Sequence, residues 1–367
     1  MVCLSRENFA VEGKRKGTPC SSLGAMAISD SGFTEAQVIA RLKEIFASSD
    51  PRISIGIGDD AAVIQAAGNQ VLTTDMAVAG VHFRQDWSSA FEIGRKVTAA
   101  NTADVLAMSG TTDYLLISVA LTGNESLEWI TDLARGIKFE ADLAGAHVIG
   151  GDISRANEVV ISITAIGSTD MAISRSGAKV GDGIYLSSLT GWSAAGLSLI
   201  SSGAADLGET AHRALSEFKT PTIDYGFNAT AASALCDISD ALIIQGQQLA
   251  ADSKVALQFY LSKIENCDEF KELKALADNL KFDIWKWIFA GGEDHVLMAT
   301  GVNLPGILIG EVISGEGLHG LPADVESSAW KHFKYTIRIF MHQEVTFFFF
   351  NTRKIQCGSI AYFFARR

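Results

Sequence analysis

The chain has no Cys-x-x-Cys pair. Its five cysteines, Cys3, Cys20, Cys236, Cys267 and Cys357, are scattered and odd in number, so neither a disulfide framework nor a zinc site is expected. No apolar run is long enough to span a bilayer. The basic residues near the N-terminus are not followed by the apolar stretch of a secretory signal, and the cytoplasm is the expected compartment. Cations are short as well. Lys and Arg number 30 against 42 Asp and Glu, a net charge of -12, which argues against nucleic acid or an anionic membrane as partner. There is no GxxxxGK[ST] loop to cradle nucleotide phosphates. Gly56-Ile57-Gly58-Asp59-Asp60-Ala61 has the spacing of a dinucleotide fingerprint without its context: a strand follows where a helix is needed, and two carboxylates would repel a bare pyrophosphate. A nucleotide held by this chain needs a metal ion as mediator.

What the chain does have is apolar substance. Its 367 residues, 48% of them hydrophobic, provide for two domains with cores. Ile53, Ile55 and Ile57 alternate up to Gly58-Asp59-Asp60, and a second run from Val71 ends in Thr73-Thr74-Asp75; each is expected to be a strand that delivers carboxylates to a turn. Apolar spacing predicts helices over 33–46, 90–108 (capped by Ser88 or Ser89) and 125–144, the last ended by Gly145, with strands over 114–121 and 159–166. Asn101 and Asp104 then share a helix face. Further on, strands are expected over 184–187, 255–261, 296–300 and 307–312. Helices are expected from Gly191 to Ile200, from about 224 to 235, after Asp240 to Ala251, and over 265–281, with a loop over 201–209. The fold class is α/β (α+β). Residues 1–29 read as a loose extension, 30–168 and 169–333 as two domains, and 334–367 as an atypical tail containing Phe347 to Phe350.

An isolated Asp in a turn is ordinarily a turn residue. Here acids recur beside strands and double glycines: Gly58-Asp59-Asp60, Thr73-Thr74-Asp75, Asn101 with Asp104, Gly150-Gly151-Asp152, and Asp237-Ile238-Ser239-Asp240. Clustered carboxylates repel without a cation. Hard oxygen ligands on small-residue segments suit Mg²⁺, which completes its octahedron with substrate phosphates. His82, Arg175, Glu293 and Trp330 each have an ordinary structural reading. Arg175, in Ser174-Arg175-Ser176-Gly177, also matches a phosphate bidentately.

The segments GDDAAVI, TTDMAVAGVHF, NTADVLAMSG, GGDISR, SRSGAKVGD, DISDAL and GGEDH, in this order, resemble thiamine-monophosphate kinase, a family of the aminoimidazole ribonucleotide synthetase superfamily. The likeness covers about residues 33–333. It implies ATP-dependent phosphorylation of thiamine monophosphate to thiamine diphosphate by direct in-line, Mg²⁺-assisted transfer. It also implies a two-domain aminoimidazole ribonucleotide synthetase-like fold, with residues 30–168 binding metal and ATP and their strands forming a barrel across a homodimer. Carried over by position, Asp60, Thr73, Thr74, Asp75, Asp104, Asp152, Asp237 and Asp240 would hold several Mg²⁺ ions. Gly151, Asp152, Arg175 and Ser239 would bind ATP. His82, Glu293 and Trp330 (in Trp330-Lys331-His332-Phe333) would bind thiamine monophosphate. No residue is implied as a general base, because the acceptor phosphate is already anionic; metal and positioning carry catalysis. The chain departs from the family at Ala241 (usually Gly), at Ala79 (commonly Glu) and at Ile244-Gln245-Gly246-Gln247, which stands where an acidic residue is common. The alternatives are another ATP-using member of the superfamily, aminoimidazole ribonucleotide synthetase-like or selenophosphate synthetase-like, or a degenerate Mg-nucleotide binder without turnover.

Overall fold

The computed structural model describes residues 33–57, 61–203 and 208–325. Asp60, Trp330, the N-terminal extension and the tail from 334 lie outside the described residues. Helix α1 (Glu35–Ile45) starts on a capping box between Thr34 and Gln37, which satisfies two orphan donors reciprocally. Strands β1 (Ile53–Ile55) and β2 (Val63–Ile64) pair as a short antiparallel ladder. The first large sheet then forms from β3 (Asn69–Val78), β4 (Thr111–Leu121), β5 (His147–Arg155) and β6 (Val160–Thr169) in the order β3-β6-β4-β5. Parallel β4 and β5 are joined by α3 (Leu127–Ala144), because a parallel pair needs a crossover. Helix α2 (Ala90–Leu106) leads into β4. Ser89 and Glu92 form its capping box, and Gly145, at φ 76°, closes α3.

One face of this sheet buries Leu115, Ile117, Ile161, Ile163 and Ala165 against Ile93, Val97, Leu133 and Ile137 of α2 and α3. The helices come unusually close. A Cβ on Gly94 would lie 2.2 Å from the Leu133 carbonyl oxygen, and one on Gly136 2.0 Å from that of Phe91. Thr73-Thr74-Asp75 sit in the middle of β3, not at a turn. The apolar run continues through Met76, Ala77 and Val78, and all ten residues pair with β6. Likewise Gly150-Gly151-Asp152 lies inside β5 and Asp237 inside a strand of the second sheet.

That sheet has the order β12-β9-β11-β7-β10-β8. Its strands are β7 (Gly183–Leu186), β8 (Ala234–Ile238), β9 (Ala256–Phe259), β10 (Val296–Gly301), β11 (Ile307–Ile313) and β12 (Gly317–His319). Between them run α4 (Trp192–Ser202), α5 (Glu209–Lys219), α6 (Leu242–Ser253), α7 (Leu261–Glu265), α8 (Asp268–Leu280) and α9 (Ile284–Ala290). Their core centres on Leu186, Leu189, Leu249, Phe259, Trp287 and Phe289. The helix expected from about 224 to 235 does not form. Asp224 accepts from the Gly226 N–H and Asn228 from the Thr230 N–H; these local turns take backbone groups a helix would use, and β8 begins at Ala234. The helix of this region is α5, earlier in the chain.

Candidate active site

Helix α2 joins the two sheets. Its buried Ala99 and Ala103 pack with Ile223, and Thr102 hydrogen-bonds Tyr225 at 2.8 Å. Tyr225 in turn donates to the buried Glu140 of α3 at 3.0 Å, and Glu140 is paired with Arg95. Helix α2 also carries Lys96, Asn101 and Asp104. Asp104 accepts from the Thr73 hydroxyl at 2.7 Å. Asn101 accepts from the Asp75 N–H at 3.1 Å while its own amide N–H donates to Val97 O, which fixes the amide. Strand alternation explains the set: Thr73 and Asp75 face α2, whereas Thr74 points to the opposite face and bonds Thr164.

Asp237, buried on β8, completes this group from the second sheet. Burial, then the charges of Asp237 and Asp75, push the Asp104 carboxyl up to about 7. Three carboxylates from β3, α2 and β8 therefore share a water-poor space, the condition under which a cation is favoured. His295 approaches Asp237 at 3.4 Å. Burial by itself lowers the imidazole's pKa, but the Asp237 bond and the charges of Asp237, Glu293 and Asp104 raise it on balance.

The loop before β10 is folded onto the end of β8. Glu293 N–H donates to Ser239 O at 2.6 Å and His295 N–H to Ile238 O at 2.9 Å. Gly292 is required there, since a Cβ would lie 2.3 Å from Asp240 O. Glu293 and His295 both hold positive φ, 66° and 53°, a strained backbone that surrounding contacts must impose. Between them Asp294 turns inward and accepts from the N–H groups of Gly191 and Ser193 at 2.7 and 2.8 Å, capping α4. The Glu293 carboxylate meets Lys96 at 3.0 Å.

The remaining expected residues are distributed more widely. His82 accepts from the Val78 N–H through Nδ1 at 3.0 Å. Arg175 is held by two neutral amides, Gln245 at 3.5 Å and Gln248 more closely, and Gln245 donates to Ser239 at 3.3 Å. Asp240 is half-buried just after β8. Asp152 is exposed on β5, three strands from β3, roughly 14 Å at the usual strand spacing. Gly151 beside it adopts φ 157°, and a Cβ there would lie only 1.8 Å from Ile117 O. Ala241 is extended, φ 179°, so its position asks for no positive φ. Among the described residues no three His, Cys, Asp or Glu side chains already enclose a metal-sized point. A cavity of 510 Å³ lies apart from the acids, lined by Trp87, Glu92, His212 and Lys219 among others.

Sequence reasoning missed Lys96, Asp294 and His295. Asp294 and His295 adjoin Glu293 in one contiguous motif, which was a usable signal. Lys96 precedes Asp104 by eight residues, two helical turns or so, and nothing local marks its partner.

Residues 58–169 match the family model "AIR synthase related protein, N-terminal domain". Thiamine-monophosphate kinase of Mycobacterium tuberculosis is 36% identical over 258 residues, covering 68% of this chain and 76% of that protein. The Aquifex aeolicus thiamine-monophosphate kinase is 30% identical over 76% of this chain and 92% of its own length. Among solved structures, AaThiL complexed with AMPPCP and TMP has a TM-score of 0.67 at 27% identity, over 82% of this chain and 97% of that one. The hydrogenase maturation protein HypE in complex with ATP, at 16% identity and a TM-score of 0.55 over 76% of this chain and 86% of its own, shares the fold.

Proposed function

The chain belongs to the thiamine-monophosphate kinase family, and we propose that it makes thiamine diphosphate from thiamine monophosphate and ATP at the acid site on α2. The observation that carries this reading is the Asp75–Asp104–Asp237 group, assembled from both sheets, with Asp104 pushed up to about 7 by burial and by the other two charges. By the chemistry of its oxygen donors such a group suits Mg²⁺. Thr73, Asp75, Asp104 and Asp237 would hold it, with Asp152, Asp240 and Asp60 completing the set; the Thr74 side chain, expected among the ligands, faces the other side of β3 and bonds Thr164, so it is not part of the set. When bound, Mg²⁺ neutralises the phosphate charges that meet in the transfer.

The chain's own residues do the rest. Asn101 fixes the β3 backbone at Asp75, so ligands from strand and helix keep one geometry. Arg175, held by amides and by no carboxylate among the described residues, offers its guanidinium to ATP phosphates. Gly151 lets the backbone of β5 approach ATP, and Ser239 adds a hydroxyl. His82 and Glu293, with Trp330, serve the acceptor. In-line attack by an anionic phosphate oxygen needs no strong base, so the work is positioning and charge neutralisation. Mg-ATP as co-substrate supports a cytoplasmic place of action. The seam near residue 169 separates the sheet that supplies Asp75 from the one that supplies Asp237. We also read the chain as a homodimer, because the outer face of the first sheet leaves Leu72 and Met76 65% and 60% exposed.

The test is thiamine diphosphate formation from Mg-ATP and thiamine monophosphate. Product is expected only with both substrates, and loss on the order of 100-fold in Asp75→Asn. Nucleotide binding without product from the native chain would replace this reading with that of a degenerate binder.

A further inference from the structure

Among the residues at the acid site, Lys96 is a cation taken almost wholly out of water, 8% exposed. Its ammonium donates to Phe218 O at 2.9 Å and to Glu293 Oε2 at 3.0 Å, and stands 4.5 Å from the Phe218 ring centroid. One side chain of α2 thereby grips two separate pieces of the second half, the end of α5 and the loop before β10. A desolvated ammonium cannot do without such partners.

The consequence falls on Glu293. Its backbone is pinned by the Ser239 bond and held at φ 66°. One carboxylate oxygen is taken by Lys96, and the other accepts no hydrogen bond from the described residues. A side chain 40% exposed would otherwise sample several rotamers at similar energy. With Lys96 present it has one direction and one oxygen to offer. A carboxylate does not attract an anionic phosphate. It suits the other end of thiamine monophosphate, which carries a ring cation and an amino group.

Resting on the reading of function above, we propose that Lys96 is a positioning residue for the acceptor: it aims Glu293 at the cationic, amino-bearing rings of thiamine monophosphate. The salt bridge thus sets specificity for the acceptor and not affinity for ATP. The test compares Lys96→Met, which keeps the apolar stem, with Lys96→Arg, which keeps the charge. Steady-state kinetics are run against each substrate in turn, with melting curves alongside. Lys96→Met should raise KM for thiamine monophosphate at least about tenfold and leave KM for ATP within about twofold. Lys96→Arg should recover most of the loss. If the native chain makes no thiamine diphosphate, the reading of function itself fails and the inference goes with it. If the native chain turns over and Lys96→Met moves both KM values together, or lowers only Tm and kcat, the inference alone is overturned and Lys96 is a structural cross-tie.

Discussion

Asp294 is buried on all sides, yet it accepts from two backbone N–H groups at the start of α4. Burial pushes its carboxyl up to about 7, against the pull of those two donors and from an ordinary 3.8. Between these values the folded chain holds a proton that the unfolded chain has released. Stability from this group is therefore full below about pH 4 and is lost as pH rises through about 7. Asn at 294 keeps the shape but cannot titrate. The urea midpoint of the native chain relative to Asp294→Asn should decline from pH 5 to pH 8; parallel curves would show that Asp294 stays ionised throughout. At this scale the grouping of residues was legible where they lie on one strand, as with Thr73 and Asp75, which meet α2 together. The sequence was silent on pairs that only tertiary structure makes: Lys96 with Glu293 is 197 residues apart, and no periodicity encodes that.

Helix α2 shows how an element places several residues at once. It brings Lys96, Asn101 and Asp104 to one site because its own position is fixed by backbone-to-backbone approach to α3 through Gly94 and Gly136. Gly136→Ala should push the helices apart, at a cost of about 1–3 kcal/mol, and shift α2 relative to β3. A calorimetric melt would report the first effect. Weaker stabilisation of the melt by added Mg²⁺ would report the second, and a variant that loses stability but keeps the full Mg²⁺ response would show that the acid site tolerates the shift. Element existence was largely legible from apolar spacing, as in α2, α3, β4 and β11. Placement of the acids within β3 was not, because Thr-Thr-Asp looks like a strand end until Met76, Ala77 and Val78 are counted in. The spurious helix near 224–235 arose from apolar residues whose spacing is overruled by Asx turns at Asp224 and Asn228. α5 (Glu209–Lys219) was not expected from the sequence, although Ala211, Ala214, Leu215 and Phe218 recur three, four and seven residues on.

Assembly follows from what the first sheet leaves uncovered. α2 and α3 take one face, and on the other Leu72, Thr74 and Met76 of β3 project alternately with Thr164 and Ser162 of β6. β3 is also an edge, ten residues long, and an edge strand is a place where a further strand can add. An exposed apolar face beside a long open edge is a poor solution for an isolated chain and a good one for a second copy related by a twofold axis. The native protein should therefore scatter light as twice its 39.2 kDa chain mass. Leu72→Lys combined with Met76→Asp should return it to one chain mass, since both charges would be buried in the shared face. Thr73 and Asp75, which alternate with these residues on the same strand, face the opposite way, so the substitutions leave the proposed metal ligands chemically intact. Loss of turnover in the monomeric variant would then mean that the site needs the partner to hold β3 in place. Full turnover would mean that each chain completes its own site. A native chain that already scatters as a monomer would remove the dimer and leave the acid site on α2 untouched.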